Sequence, residues 1–204
     1  MSLDDDTTNT SASMSRLNIS EQYSNHTIDE LKQLYIDKSI DAIIMCLNPD
    51  MDRNIGNIIR TASASFFKKC VIIGRKRVNL KSSVGMNHYV PIEYVQATLG
   101  YHNQYYDFEK IISYLEEISK THIIVFIELH KDSISLKNMN TLIKKSGKPP
   151  AFLVGNEGSG IPVELLECDK FDKIIVQIPM NGFVRSYNVS NSFAMIYWEY
   201  IRDL

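Results

Sequence analysis

Three short stretches combine polar side chains with bare backbone in a way that core packing alone does not require. The first, "NPDMDRNIGNIIRTA", holds Asn54, Gly56, Asn57 and Arg60 inside a helical pattern. A glycine there costs about 1 kcal/mol relative to alanine. Gly56 and Arg60 are four residues apart and share a helix face, and helical side chains lean toward the N-terminus. Gly56 is therefore expected to clear space for Arg60, or for a ligand that meets it. The second stretch is "GNEGSGIP", Gly155 to Pro162. Its glycines allow sharp turns and close approach of backbone amides, but Glu157 in its middle would repel a phosphate. It carries neither a P-loop GKS or GKT nor the GxGxxG of dinucleotide folds. A ligand with hydroxyls, an amine or a cationic centre fits better. The third stretch is "QIPMNGFVRSYNVSNSFAMIYWEY", Gln177 to Tyr200. Ser186, Asn188, Ser190 and Ser192 cluster before its helical part, where one such residue suffices as an N-cap. The surplus points to a polar ligand or a second backbone packed there. Plainer readings stand beside each: a surface arginine with a tolerated glycine, a left-handed turn, an over-provided cap.

These stretches follow apolar runs. The runs are "AIIMCL" (42–47), "CVIIG" (70–74), "HIIVFIEL" (122–129), "AFLVG" (151–155) and "KIIVQIPM" (173–180). They are β-branched and nearly continuous, the pattern of strands buried on both faces. "YVPIEYV" (89–95) is weaker, and Pro91 makes it an edge strand or an irregular connection. Helical stripes lie between the runs. Ile55, Ile58, Ile59, Ala62 and Phe66 form one, and Phe108, Ile111, Ile112, Leu115 and Ile118 a second. A last helix from about Ser186 to Asp203 aligns Val189, Phe193, Ile196, Tyr197, Tyr200 and Leu204. Pro162 is expected at the first helical position of "PVELLE". Alternating strand and helix gives an α/β fold with a mostly parallel sheet flanked by helices, whose ligands bind in loops beyond the carboxyl ends of the strands. Residues 1–24 are polar and acidic, and disorder is expected. Residues 25–204 read as one domain with a short N-terminal helical extension, its Thr27 and Glu30 spaced as a capping box.

Composition narrows the classes. The 204 residues carry a net charge of −2. Asp4, Asp5, Asp6 and Glu21 against Arg16 give residues 1–25 a balance of −3, so the rest carries +1. Positive charge gathers at Lys68-Lys69, at Arg75, Lys76 and Arg77 with Lys81, and at Lys144-Lys145 with Lys148. Such patches bind phosphate without a basic overall charge, though each also suits a solvated surface. Cys46, Cys70 and Cys168 match no metal spacing, so no metal is expected. No apolar run is long enough to span a membrane, and the N-terminus has no secretory h-region. A cytoplasmic location is expected, with the nucleus open.

The motifs together resemble a family. Asn54-x-Gly56-x-x-x-Arg60, "LVGNEGSGIP" and "IPMNGFVRSYNVSNSFA" resemble motifs 1, 2 and 3 of SPOUT-class methyltransferases, nearest the SpoU/TrmH-like RNA ribose 2′-O-methyltransferases, over roughly residues 40–204. The resemblance implies a C-terminal trefoil knot, S-adenosylmethionine as cofactor, and a homodimer with its active site near the subunit interface. It implies methyl transfer to a ribose 2′-hydroxyl of RNA. Catalytic positions would be Arg60, Asn54, Glu157, Ser186 and Asn188. Cofactor positions would be Leu153, Gly155, Asn156, Gly158, Gly160, Ile178, Met180, Tyr187 and Asn188. RNA contact would fall to Arg75, Lys76, Arg77 and Lys81, to Arg185 (RNA or a partner subunit), to the helix around Ile28–Tyr35, and to the tyrosines of "YHNQYYDF" (101–108) if they are not helix-packing or interface aromatics. Tyr187 stands where the family usually has leucine. About forty residues precede the first run, which favours the minimal layout and tRNA over rRNA. Arg60 acts either as a base beside a substrate phosphate or as a cationic clamp. A catalytically silent RNA- or cofactor-binding scaffold is the main alternative. An unrelated nucleotide-dependent α/β enzyme is disfavoured by the missing GxGxxG.

Overall fold

Apolar runs that alternate between two buried faces define the sheet. A computed structural model describes residues 19–75, 78–99, 105–202 and 204. Most of the acidic tail, Lys76, Arg77 and residues 101–104 lie outside the described residues. In chain order the elements are α1 (Ile28–Asp37), β1 (Ile40–Leu47), α2 (Asp52–Ser63), β2 (Phe67–Gly74), β3 (Ile92–Gln96), β4 (Thr98–Leu99), β5 (Tyr105–Tyr106) and α3 (Phe108–Ser119). Then come β6 (Ile123–Ile127), β7 (Ile134–Ser135), α4 (Met139–Ser146), β8 (Pro150–Val154), α5 (Val163–Leu166), β9 (Lys173–Gln177) and α6 (Val189–Ile201). Seven strands form one sheet in the order β3-β2-β1-β8-β6-β9-β7. All its pairings are parallel. β4 and β5 form a separate antiparallel pair.

Successive strand residues point to opposite faces, and both faces are covered. On one face Ile44, Cys46, Ile72, Phe152 and Val154 pack with Ile55, Ile58, Ile59 and Ala62 of α2 and with Phe193 and Ile196 of α6. On the other, Met45, Val71, Phe126 and Leu153 pack with Ile111, Leu115 and Ile118 of α3 and Leu165 of α5. This two-sided burial is why the runs read as continuous rather than alternating. β3 is an edge strand, as Pro91 suggested, and only half buried. The capping box on α1 is formed: Thr27 Oγ1 accepts from Glu30 N at 3.2 Å, and Glu30 Oε2 accepts from Thr27 N at 2.7 Å.

Several boundaries differ from expectation. α2 ends at Ser63, and Phe66 sits in a turn with φ 52°, its ring edge-on to Tyr35. α6 starts at Val189, because Asn188 is extended (ψ 139°) and caps the helix by accepting from Ser190 N at 2.9 Å. Leu204 is exposed and off the buried stripe. Pro162 is the extended N-cap of α5, with ψ 142°, and Val163 is the first helical residue. α4 and β7 carry no sequence reading above, although Met139 and Ile143, one helical turn apart, are both buried.

Gly56 has a different partner from the one expected. A Cβ there would overlap Ser82 Oγ and lie 2.6 Å from Ser83 N. The glycine admits the backbone of the 3-10 turn Lys81–Ser83 against α2, and Ser82 Oγ donates to Arg53 O at 3.0 Å. The space is filled by this turn and not by Arg60. Gly56→Ala is expected to cost about 1–3 kcal/mol by overpacking, read as a lower urea midpoint with unchanged slope. A wild-type midpoint would show that the turn gives way freely.

Candidate functional site

The three polar stretches meet at the carboxyl ends of the strands, joined by one chain of hydrogen bonds. Glu157 Oε2 accepts from Asp50 N at 2.7 Å. Its Oε1 accepts from Met51 N at 3.3 Å and from Asn54 Nδ2 at 2.5 Å. Asn188 Nδ2 donates to Asn54 Oδ1 at 3.2 Å. Asn188 Oδ1 in turn accepts from Ser190 N and from Ser190 Oγ at 2.7 Å. Asn54 is 3% exposed, so its amide needs both partners. Met51, at the N-cap of α2, supplies no side-chain cap. The Glu157 carboxylate bonds instead to the amides of Asp50 and Met51 just ahead of the helix, placing negative charge at its N-terminus. Glu157, expected among the catalytic positions, lines the cleft described below, and its carboxylate ties the second stretch to the first.

The glycine loop is held just as tightly. Asn156 Oδ1 accepts from Gly158 N at 2.8 Å and Ser159 N at 3.1 Å, and its Nδ2 donates to Asn48 O at 2.8 Å. The Asn156 side chain is thus taken up within the protein, which leaves its backbone to face the cleft described below. A Cβ on Gly155 would lie 2.6 Å from Ile161 N, and Gly160 adopts φ +67°. The loop can fold back on itself only with bare backbone at these points. Beside it, Glu128 Oε2 accepts from Ile161 N at 2.8 Å and Oε1 from Leu129 N at 2.9 Å.

Between the glycine loop and the segment before α6 lies a cleft of about 580 Å³. Of the expected cofactor positions, Gly155, Asn156, Gly158, Gly160, Ile178, Met180, Tyr187 and Asn188 line it, together with Ser186 and Arg185. Leu153 does not: its side chain is buried in the layer against α3 and α5. Glu128 lines the cleft and was not singled out from the sequence. The available signal was its place as the first charged residue after the apolar run of β6, at a strand's carboxyl end.

Arg60 lies elsewhere. α2 and α6 run side by side in the same direction: Asn54 meets Asn188 near their N-terminal ends, and Ser65 Oγ meets Tyr197 OH at 2.6 Å beyond the end of α2. Six residues separate Asn54 from Arg60, about 9 Å along the helix axis. Arg60 lines a second groove of about 390 Å³ with Tyr23, Tyr35, Phe66, Met86 and Tyr89. The expected RNA contacts also divide. Arg75 turns inward, pairing with Asp52 Oδ1 at 2.6 Å and donating to Pro49 O at 2.5 Å, so its charge braces the loop after β1. Lys81 and Arg185 are exposed. Tyr105 is exposed, while Tyr106 packs against Phe108 with ring centroids 5.7 Å apart.

Asn54→Ala removes a buried bond to a carboxylate and one to an amide, and a loss of about 2 kcal/mol is expected. Asn57→Ala, on the exposed side of the same helix, is expected to stay within about 0.5 kcal/mol. Equal urea midpoints for the two variants would remove the hydrogen-bond chain as a stabilising feature.

Comparison with known proteins places this geometry. Residues 41–198 match the model of the SpoU rRNA Methylase family. Over 52 residues the chain is 44% identical to the tRNA (guanosine(18)-2'-O)-methyltransferase TARBP1 of Mus musculus; the match covers 26% of this chain and 3% of that protein. The crystal structure of the A. aeolicus TrmH/SpoU tRNA modifying enzyme superposes with a TM-score of 0.64 at 26% identity, covering 86% of this chain and 81% of the other. The AdoMet-bound rRNA methyltransferase from Sinorhizobium meliloti has the same fold, with a TM-score of 0.64 at 21% identity over 85% of this chain and 60% of that one. With a single family model spanning the sheet, the glycine loop and most of α6, the chain belongs to the SpoU rRNA Methylase family.

Proposed function

We propose that this protein transfers a methyl group from S-adenosylmethionine to a ribose 2′-hydroxyl of RNA, with tRNA favoured as substrate. The observation that carries the reading is the cleft whose floor joins all three polar stretches through Glu157, Asn54 and Asn188. Its volume suits a nucleoside-sized ligand. Gly155 and Gly160 bare the loop backbone where a side chain would fill the space. Glu128 places a carboxylate in the wall, which favours a cationic ligand. The cofactor, when bound, supplies an electrophilic methyl group on a sulfonium centre. The glycine loop, Ile178 and Met180 would hold it.

Ser186 and Asn188 stand on the opposite wall and would orient the ribose hydroxyl toward the cofactor, so that alignment carries much of the rate. The arginine guanidinium is not deprotonated in proteins. Arg60 is therefore read as a cation that holds a substrate phosphate and stabilises the oxyanion developing on the 2′-oxygen. Since Arg60 lines a separate groove of the same protomer, its use at the cleft calls for a homodimer in which a second copy brings its α2 to this site. Apolar side chains left at the surface favour such a contact: Phe183 is fully exposed and Trp198 63% exposed. The trefoil knot implied by the family resemblance belongs to this reading, as does action on cytoplasmic or nuclear RNA.

The test transfers labelled methyl from S-adenosylmethionine to bulk tRNA and to total RNA, then digests and identifies the methylated nucleoside. A 2′-O-methylated nucleoside is expected. Arg60→Ala should lower the rate about 100-fold or more, as loss of an oxyanion donor does, with cofactor affinity retained by calorimetry. Cofactor binding without transfer to any RNA would favour the scaffold. An Arg60→Ala enzyme of wild-type rate would remove Arg60 from the mechanism.

A further inference from the structure

The outward face of α2 carries charge that the fold does not use. Asn54, Ile55, Gly56, Ile58, Ile59 and Ala62 are buried, whereas Arg53, Asn57 and Arg60 are exposed. Residues 53, 57 and 60 fall on one side of a helix. Arg53 and Arg60 are seven residues apart, about 10 Å along the axis. Lys81 is brought beside this row, because Gly56 admits the 3-10 turn and Ser82 bonds to Arg53 O at 3.0 Å. Among the described residues, neither the Arg53 guanidinium nor the Lys81 ammonium has an ion pair or hydrogen bond. Two neighbouring carboxylates are already engaged. Asp52 pairs with Arg75 and accepts from Asn79 N at 2.8 Å, and Glu157 is held by Asn54. Asp50 is exposed, with Oδ2 toward Gly158. The result is a row of uncompensated cations that begins beside the cleft and leads to Arg60.

We propose that Arg53, with Lys81 beside it, contacts the phosphate backbone of a strand that runs along the outer face of α2 between the cleft and Arg60. Arg53 thereby sets the path of the RNA, while base and ribose are read elsewhere. Guanidinium suits phosphate because its planar donors pair with two oxygens at once. Contacts of this kind position the substrate and carry no sequence information. The interaction rests on the RNA methyltransferase reading above, but its test separates the two.

Binding of fluorescently labelled bulk tRNA is measured by anisotropy across a salt series for the wild type, Arg53→Gln, Lys81→Gln and Arg53→Lys. Each glutamine variant is expected to weaken binding about fivefold and to lower the slope of log affinity against log salt by about one. Arg53→Lys should recover most of the slope. Affinity for S-adenosylmethionine should stay within about twofold of wild type by calorimetry, and methyl transfer should show raised KM with kcat retained. If wild-type protein binds and methylates tRNA while Arg53→Gln keeps its affinity and slope, this inference alone is overturned. If the wild type does not bind tRNA, the RNA reading falls with it. A variant that loses cofactor affinity, or changes its sedimentation without changing tRNA binding, also overturns the inference, since Arg53 would then support the cleft or a subunit contact.

Discussion

The buried amide of Asn54 is the point on which the site depends. It donates to Glu157 and accepts from Asn188, partners 103 and 134 residues away along the chain. Neither partner can be lost cheaply, because an unsatisfied polar group in the interior costs about 1–3 kcal/mol. The same set of bonds serves three local needs. It binds the two amides that lead into α2, whose own N-cap residue supplies no side-chain bond. It fixes the glycine loop, and it stops the segment after β9 so that α6 begins at Val189. A polar chain of this kind sets the cleft's shape before any ligand arrives.

The rest of the architecture holds that chain in place. The parallel sheet is buried on both faces, so β1, β8 and β9 end in a common plane and their loops emerge together. α2 and α6 lie alongside one another over one face, and Gly56 lets the Lys81–Ser83 turn close against α2's other side. The inner side of α2 is therefore fully occupied by core, and what remains is a polar outer side bearing Arg53, Asn57 and Arg60. Packing, rather than local preference, decides which of its side chains are available for chemistry.

Much of the layout was legible in the residues. The β-branched runs marked the strands of the main sheet apart from the two-residue β7, and the stripes marked α2, α3 and α6 because period 3.6 records the face a helix buries. The Asn-Gly-Arg, GNEGSGIP and third-motif stretches carried the family. Less legible was anything set by a neighbour distant in sequence. Glu157 read as an acid of the site, and it lines the cleft while also binding the loop after β1 to Asn54, whereas Glu128 lines the same cleft from the end of a strand that read as ordinary core. Arg75 looked like surface charge, yet it braces the loop after β1 through Asp52 and Pro49. Gly56 looked like room for Arg60 and proved to be room for Ser82.

The sequence by itself determined the fold class, the order of most elements apart from α4 and the short strands, and the three polar loops, since periodicity and turn chemistry are properties of neighbouring residues. Only the tertiary structure decided which polar groups face the cleft and which are bound inside. Those choices depend on hydrogen bonds and close contacts between segments more than 100 residues apart. A residue's own spacing reports the face it occupies, and not what fills the space in front of it.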